Sequence, residues 1–502
     1  MTAKTLLLTG SDLSPEAVVE VARSGRRVAL ADNTLAVLAA SRAVVERYLA
    51  DGRPAYGLTV GLGPRVVEQV PREELSAFSS IMVRGRAQAL GKPLPREAVR
   101  AAMLVRANGL AIGGAGARAA IAEALVAALN AGFHPIVPSI GSVGASDLCL
   151  MAHIGLALVG EGEAEYDGRQ FPAAEALAAA GLSPLELGPK DGLAICSANS
   201  VSTGMGALVL CDAELLLDQA NLAAALTMEG FRANLSPLDS RVAAARPAPG
   251  QVEMAARLRE VLTGSALNKP GVARRVQDPL SLRCVSQVHG SLFAALAFVR
   301  TAVEAELNGA GDNPLVLAES DEMLSTGNFH TPALALAFDT LGLALTQVAN
   351  LAVNRVQRLT TERFSALPFG LTTRNMTHVG FGAATKMLEA LAAEIRHLAG
   401  PVCIDQRTGA DNVEDDTTNA TYAVSKAAEM VERLRLIVAF ELMAAAQAVE
   451  LAKINSLGRG TRTAYEAVRS IVAPLDEDRP LGGDVERVAR ELLATGRLSI
   501  RS

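Results

Sequence analysis

The chain has no tryptophan, and aromatic residues fill only 3% of its 502 positions although 50% of them are apolar. A core that large and that poor in rings has to be built from Ala, Leu and Val, a composition that favours close-packed helices over a β-sandwich. There is no basic run: 47 Lys and Arg stand against 53 Asp and Glu, interspersed, for a net charge of −6. Nucleic-acid binding is disfavoured on that ground. Cysteine is scarce, and Cys149, Cys196, Cys211, Cys284 and Cys403 are scattered, odd in number and without metal spacing. This fits a reduced, cytoplasmic protein with neither a disulfide frame nor a zinc site. None of the 6 histidines forms an i,i+4 or HExxH pair, which argues against a metal hydrolase. No G-x-S-x-G supports a Ser-His-Asp triad, although spacing alone does not exclude one. "GGAGAR" at Gly113 lacks the preceding strand and the spacing of a nucleotide fingerprint. The start, "MTAKTLLLTGSDLSPE", turns acidic too early for a signal peptide. The apolar stretch "ALALAFDTLGLALTQVANLAV" is broken by Asp339, Gln347 and Asn350, so a buried helix is expected there and not a membrane span.

What is present is helical periodicity. "SPEAVVEVARSG" opens on a Ser cap and stops at Gly25, and the first fifty residues read as short helices. The Gly-rich "AYGLTVGLGPRV" interrupts as a loop before helices resume in "REELSAFSSIMVRGRAQAL" and "EAVRAAMLVRANGL". "FHPIVPSIGSVGASD" is punctuated by Pro and Gly and reads as a turn region leading into the apolar "LCLMAHIGLALVG". From Val201 onward the runs lengthen, as in "GMGALVLCDAELLLDQANLAAALTMEG" and "SLRCVSQVHGSLFAALAFVRTAVEAELNG". Helices apolar on several faces belong inside a bundle or a multi-subunit core. The expected organisation is an N-terminal helical region carrying loops (1–200), a central bundle of long helices (201–430) and C-terminal helices (431–502), forming one continuous unit.

Several polar clusters interrupt these helices. "YGLTVGLG" sets Tyr56 among glycines that let backbone approach a ligand, or that simply make a turn. "QDPLSLRC" carries Gln277, Asp278 and Arg283, where the arginine could clamp a substrate carboxylate or pair with a neighbouring acid. Glu414 in "GADNVEDD" sits in an acidic loop of the kind that is usually solvated, and "DNPLV" and "STGNFH" add turn chemistry with further polar content.

Together with "SRAVVERYLADGRPAYG", "LNAGFHPIVPSIGSVGAS" and "PLDEDRPL", these clusters give the chain an ordered set of motifs along almost its whole length. It resembles the aromatic amino acid ammonia-lyase and aminomutase family, which includes the histidine, phenylalanine and tyrosine ammonia-lyases. The resemblance implies a mainly α, elongated bundle of long helices with fumarase/aspartase-like architecture. It also implies a homotetramer whose active sites draw loops from more than one subunit. In that family an Ala-Ser-Gly tripeptide cyclises with loss of two waters to the methylidene-imidazolone electrophile, MIO, which enables removal of ammonia from an α-amino acid. By position, Tyr56 matches the base that takes the β-proton and Arg283 the clamp on the α-carboxylate. Gln277, Phe329 and Glu414 also fall on matching site positions.

The departures cluster around the electrophile. Where the family reads G-S-V-G-A-S-G-D-L, this chain reads Gly141-Ser142-Val143-Gly144-Ala145-Ser146-Asp147-Leu148. Cyclisation requires the third residue's nitrogen to attack the first residue's carbonyl, and Asp there adds bulk and restricts φ and ψ. The missing residue shortens the turn by up to ~3.3–3.6 Å. Ser197, with Asn199 and Ser200 nearby, stands where the family has an asparagine that holds the MIO carbonyl. Leu280 replaces a second tyrosine, and Thr59 replaces an asparagine. Arg86, in "IMVRGRAQALGKPL", occupies the position that reads the substrate side chain, where it suits an anionic group, although it could instead bond Glu414 or face solvent.

Three readings follow. In the first, an ammonia-lyase-like enzyme eliminates ammonia or a related group from an amino-acid-like substrate without MIO. Tyr56 acts as base, Arg283 and Arg86 bind two anionic groups, and Ser146 or Ser197 receives the developing anion or leaving group. In the second, Ala145-Ser146-Asp147 still forms MIO and the chain is an ordinary lyase or an aminomutase. In the third, it is a non-catalytic oligomeric paralogue. No metal or nucleotide cofactor is expected in any of them.

Overall fold

The computed structural model describes residues 4–374 and 377–499, and of Ser76 the backbone alone. Helix accounts for 59% and strand for 7%, so the chain is mainly α as its Ala/Leu-rich runs require. Helix Pro15–Ser24 starts on Ser14, whose side chain accepts from Ala17 N, and ends at Gly25 in the left-handed region. Both are standard end signals. The long apolar runs become helices Ser200–Phe231, Val285–Leu307, Pro332–Leu359 and Ala420–Leu451. Three helical stretches (Asp191–Phe231, Val285–Leu307, Pro332–Leu359) are long and apolar enough to cross a membrane by length and composition, and the first has its most apolar window wholly buried.

The chain divides into two compact units, one of Met1–Cys211, Val299–Phe338 and Pro401–Ser425, the other of Asp212–Phe298, Asp339–Gly400 and Lys426–Ser502. In the first unit, helices Arg96–Ala111 and Ala119–Ala131 pack together and Pro15–Ser24 lies on the former. In the second unit, the Arg355 guanidinium binds Glu441 through Nε (2.6 Å) and Nη2 (2.8 Å), with both side chains at 0% exposure. Thr227 Oγ1 donates to the same Glu441 oxygen at 3.0 Å, so three long helices share one buried polar joint. A charge pair this deep holds only when its lone pairs are met.

Short strands depart from the all-helical and turn expectations. Leu6–Leu8 pairs in parallel with Val28–Leu30. The Pro-punctuated stretch contains strands His134–Pro135 and Pro138–Ile140, which pair with Glu163–Tyr166 and Leu90–Pro93. The run read as one helix from Ser281 is broken at Cys284, which separates Leu280–Arg283 from Val285–Leu307.

Candidate active site

One apolar cluster in the first unit gathers the elements that matter. Met82, Val83, Ala152, Leu193 and Cys196 form it, and the half-buried Tyr56 packs on its edge. Met82 and Val83 belong to helix Leu75–Arg86, which ends in Arg86, and Ala152 to helix Leu148–Leu158, which follows the tripeptide. Leu193 and Cys196 belong to helix Asp191–Cys196, which leads into Ser197. Gly192 makes this packing possible, because a Cβ there would overlap the Ser79 carbonyl. The short helix is also pinned electrostatically: buried Asp191 accepts from Gly188 N (2.8 Å), Arg118 N (3.1 Å) and Arg118 Nε (2.6 Å). Arg106 grips the Ala194 carbonyl and Asp312, the latter at 2.7 Å. Lys190 beside it is fully buried, which pulls its amine down to about 8.

Tyr56 sits in a turn closed by Thr59, whose hydroxyl accepts from Ala55 N and donates to Arg53 O, each at 2.8 Å. Thr59 is therefore a structural closure and not merely a lost asparagine. Gly63 N donates to the Tyr56 hydroxyl at 3.0 Å, so that the phenol's own proton is free to point elsewhere. The half-buried Arg86 side chain has no hydrogen-bond or ion-pair partner among the described residues, and the expected alternative of a bond to Glu414 is not formed. Both charges nonetheless act on one thiol: the Cys149 thiol is pushed up by burial, against the pull of the Gln88 backbone and Arg86, while Glu414 adds to the rise.

The tripeptide loop is stitched in place. Gly144 has φ +91 and a Cβ on it would overlap Thr418 Oγ1. Ser146 adopts φ 60, a left-handed conformation uncommon for a non-glycine residue. Its Oγ lies 3.5 Å from Ser197 Oγ, and both residues are buried. Asp147 is at 0% exposure. One of its carboxyl oxygens accepts from Ser142 Oγ (2.9 Å) and Thr421 Oγ1 (2.6 Å), the other from Ser202 N (2.8 Å) and Ser202 Oγ (2.9 Å). Its backbone N–H donates to Ala198 O at 2.9 Å. Closing an imidazolone ring would require that nitrogen to leave Ala198 and attack the Ala145 carbonyl while the anchored carboxyl swings with it. The residues present do not fit the MIO group.

Phe329 is half-buried, and its carbonyl accepts from Asn199 Nδ2 at 2.9 Å. Asn199 Oδ1 is buried without a partner. Gln277, Leu280 and Arg283 belong to the second unit. Leu280 is 60% exposed, Gln277 is exposed, and Arg283 Nε is buried without a partner. Residues that the sequence reading passed over also meet at the loop. His330 pairs backbone to backbone with Ala145, and its Nε2 lies 2.8 Å from Asp416 Oδ2. "GNFH" and "VEDD" were visible as polar loops, but nothing in their spacing links them. Among the described residues no three His, Cys, Asp or Glu side chains gather as a metal site.

Comparison with known proteins agrees with this architecture. The aromatic amino acid lyase family model matches residues 13–470. A histidine ammonia-lyase of Symbiobacterium thermophilum is 40% identical over 490 residues, covering 97% of this chain and 96% of that protein. Among solved structures, the ergothioneine-degrading ergothionase of Treponema denticola, in complex with desmethyl-ergothioneine sulfonic acid, superposes with a TM-score of 0.94 at 32% identity, covering 99% of this chain and all (100%) of that one. A tyrosine aminomutase from Streptomyces globisporus gives 0.94 at 32% identity, covering 99% and 98%.

Proposed function

The chain is a carbon–nitrogen lyase of the aromatic amino acid lyase family, and from that premise we propose that it eliminates ammonia or a related amine from an amino-acid-like substrate without MIO. The observation that carries this reading is Asp147, whose N–H and carboxyl oxygens are all engaged where the electrophile would have to close. Without that electrophile the substrate itself must make its β-proton acidic, through a conjugated or anionic group next to the β-carbon. Tyr56 takes the proton, the Cβ–H electrons form the double bond, and the Cα–N pair leaves with nitrogen.

Arg283 holds the α-carboxylate and Arg86 reads a second anionic group. The guanidinium of Arg86, half-buried and without a side-chain partner among the described residues, supports this, because a partly desolvated cation gains by meeting an anion. The ligand of the similar ergothionase carries a sulfonic acid, an anion at neutral pH, and so supports the same chemistry. Ser146 and Ser197 offer hydroxyls to the leaving group or developing anion, and Phe329, Glu414, Gln277 and Leu280 line the substrate. Val276 at 94% and Leu280 at 60% exposure, a few residues before Arg283, suit burial against a second copy, in keeping with a homotetramer whose sites are shared. Likeness to the aminomutase favours a second reading in which the amine is returned at the β-carbon, and product analysis separates the two.

The test is a panel of L-histidine, L-tyrosine, L-phenylalanine, L-aspartate and ergothioneine, assayed for amine release. Substrates with a second anion should be preferred, and Arg86→Ala should lower their kcat/KM by about 10–100-fold, as expected for loss of a charged hydrogen bond. Unchanged turnover and preference in that variant would sink the assignment.

A further inference from the structure

We propose that His330 and Asp416 are the residues that bind the leaving amine and govern its proton, an assignment that rests on the amine elimination proposed above. Both are tied to the tripeptide loop. His330 forms an antiparallel bridge with Ala145, so the two side chains stand on one face. Residues directly opposed in such a pair have Cβ atoms about 4.5–5.5 Å apart. Asp416 opens a segment sewn to the same loop: Thr418 Oγ1 donates to Gly144 O (3.2 Å), Asn419 N to Val143 O (3.0 Å) and Thr421 Oγ1 to Asp147 (2.6 Å). His330 also directly follows Phe329, whose carbonyl is fixed by Asn199.

The ring is oriented as an acid–base group is. Its Nε2 meets Asp416 Oδ2 at 2.8 Å, and Asp416 is the one charged side chain within ion-pair distance of it among the described residues. The His330 contact lowers the Asp416 carboxyl below its ordinary range, with Gln406 and Thr417 assisting. With Nε2–H given to the carboxylate, Nδ1 carries the lone pair and is left to accept a proton from a ligand. The side chain is 25% exposed, enough for a small ligand to reach it.

The chemistry closes without another reactant. One proton is shared between Nδ1 and the substrate amine and lies on nitrogen when Cα–N breaks. The bonding pair stays with nitrogen, ammonia departs neutral, and Tyr56 holds the β-proton. An amine that lost this proton would have to leave as an amide ion, which is a far worse leaving group. Removing the imidazole therefore slows loss of a primary amine and moves the alkaline limb of the rate profile to lower pH.

His330→Gln and Asp416→Asn are to be compared with wild type on the panel amino acid that turns over fastest, and on its trimethylammonium analogue, which has no N–H to share. For the primary amine, His330→Gln is expected to lower kcat by about 10²–10⁴-fold with a smaller change in KM, to shift the alkaline limb down, and to be partly rescued by added imidazole. Turnover of the trimethylammonium analogue should be affected little. Equal loss on both substrates, or an unmoved limb, overturns the proposal in favour of a structural role. In parallel, 15N NMR of ring-labelled histidine should show the neutral His330 ring carrying its proton on Nε2 in the wild type and losing that preference in Asp416→Asn. An unchanged tautomer overturns the pairing even if no panel compound is turned over, an outcome that would itself refute the amine-elimination reading.

Discussion

Asp147 stands where the family's tripeptide has glycine, and its side chain fastens the loop. Its two carboxyl oxygens take four donors, and each hydroxyl that supplies one is held by the fold. Thr421→Val keeps the shape and removes the 2.6 Å donor, leaving a buried oxygen short of one partner. A loss of about 1–3 kcal/mol in urea unfolding is expected, and a change below about 0.5 kcal/mol, the range of ordinary surface substitutions, would show that the anchor is not holding the loop. Tyr56, Arg86 and the shortened tripeptide were legible at this scale because they lie inside motifs of continuous sequence. His330 and Asp416 were not, since only the backbone bridge to Ala145 and the stitched segment at Thr418 bring them together. The part Thr59 plays in the turn was hidden for a related reason: only the folded chain brings its hydroxyl onto Arg53 O and Ala55 N.

At the level of elements, the long helices could be read because their apolar periodicity is local and repeats over many turns. The strands could not. Leu6–Leu8 and His134–Pro135 are too short to show alternation, and their partners lie far along the chain. Pairing at long range is a property of the folded chain and leaves no local signature. The polar joint of Thr227, Arg355 and Glu441 was equally invisible, being spread over three helices. Its removal tests the packing of the second unit: Glu441→Ala strands Arg355 at zero exposure and is expected to cost about 3–5 kcal/mol, read from denaturant unfolding. A loss below about 1 kcal/mol would mean that water reaches the guanidinium.

Across the whole molecule, the proposed site residues divide between the two units. Tyr56, Arg86, the tripeptide, Ser197, Phe329 and Glu414 lie in one, and Gln277, Leu280 and Arg283 in the other. Sequence motifs gave the membership of this set through their order along the chain. They could not show that the loop carrying the tripeptide is held by Asp147 in a form that resists ring closure. The demand for a self-activated substrate depends on that resistance to ring closure. The direct measurement is the intact mass of the purified protein, with peptide mapping across Ala145–Asp147. The mass of the unmodified sequence is expected, and a deficit of two waters localised to those three residues would contradict a site without MIO.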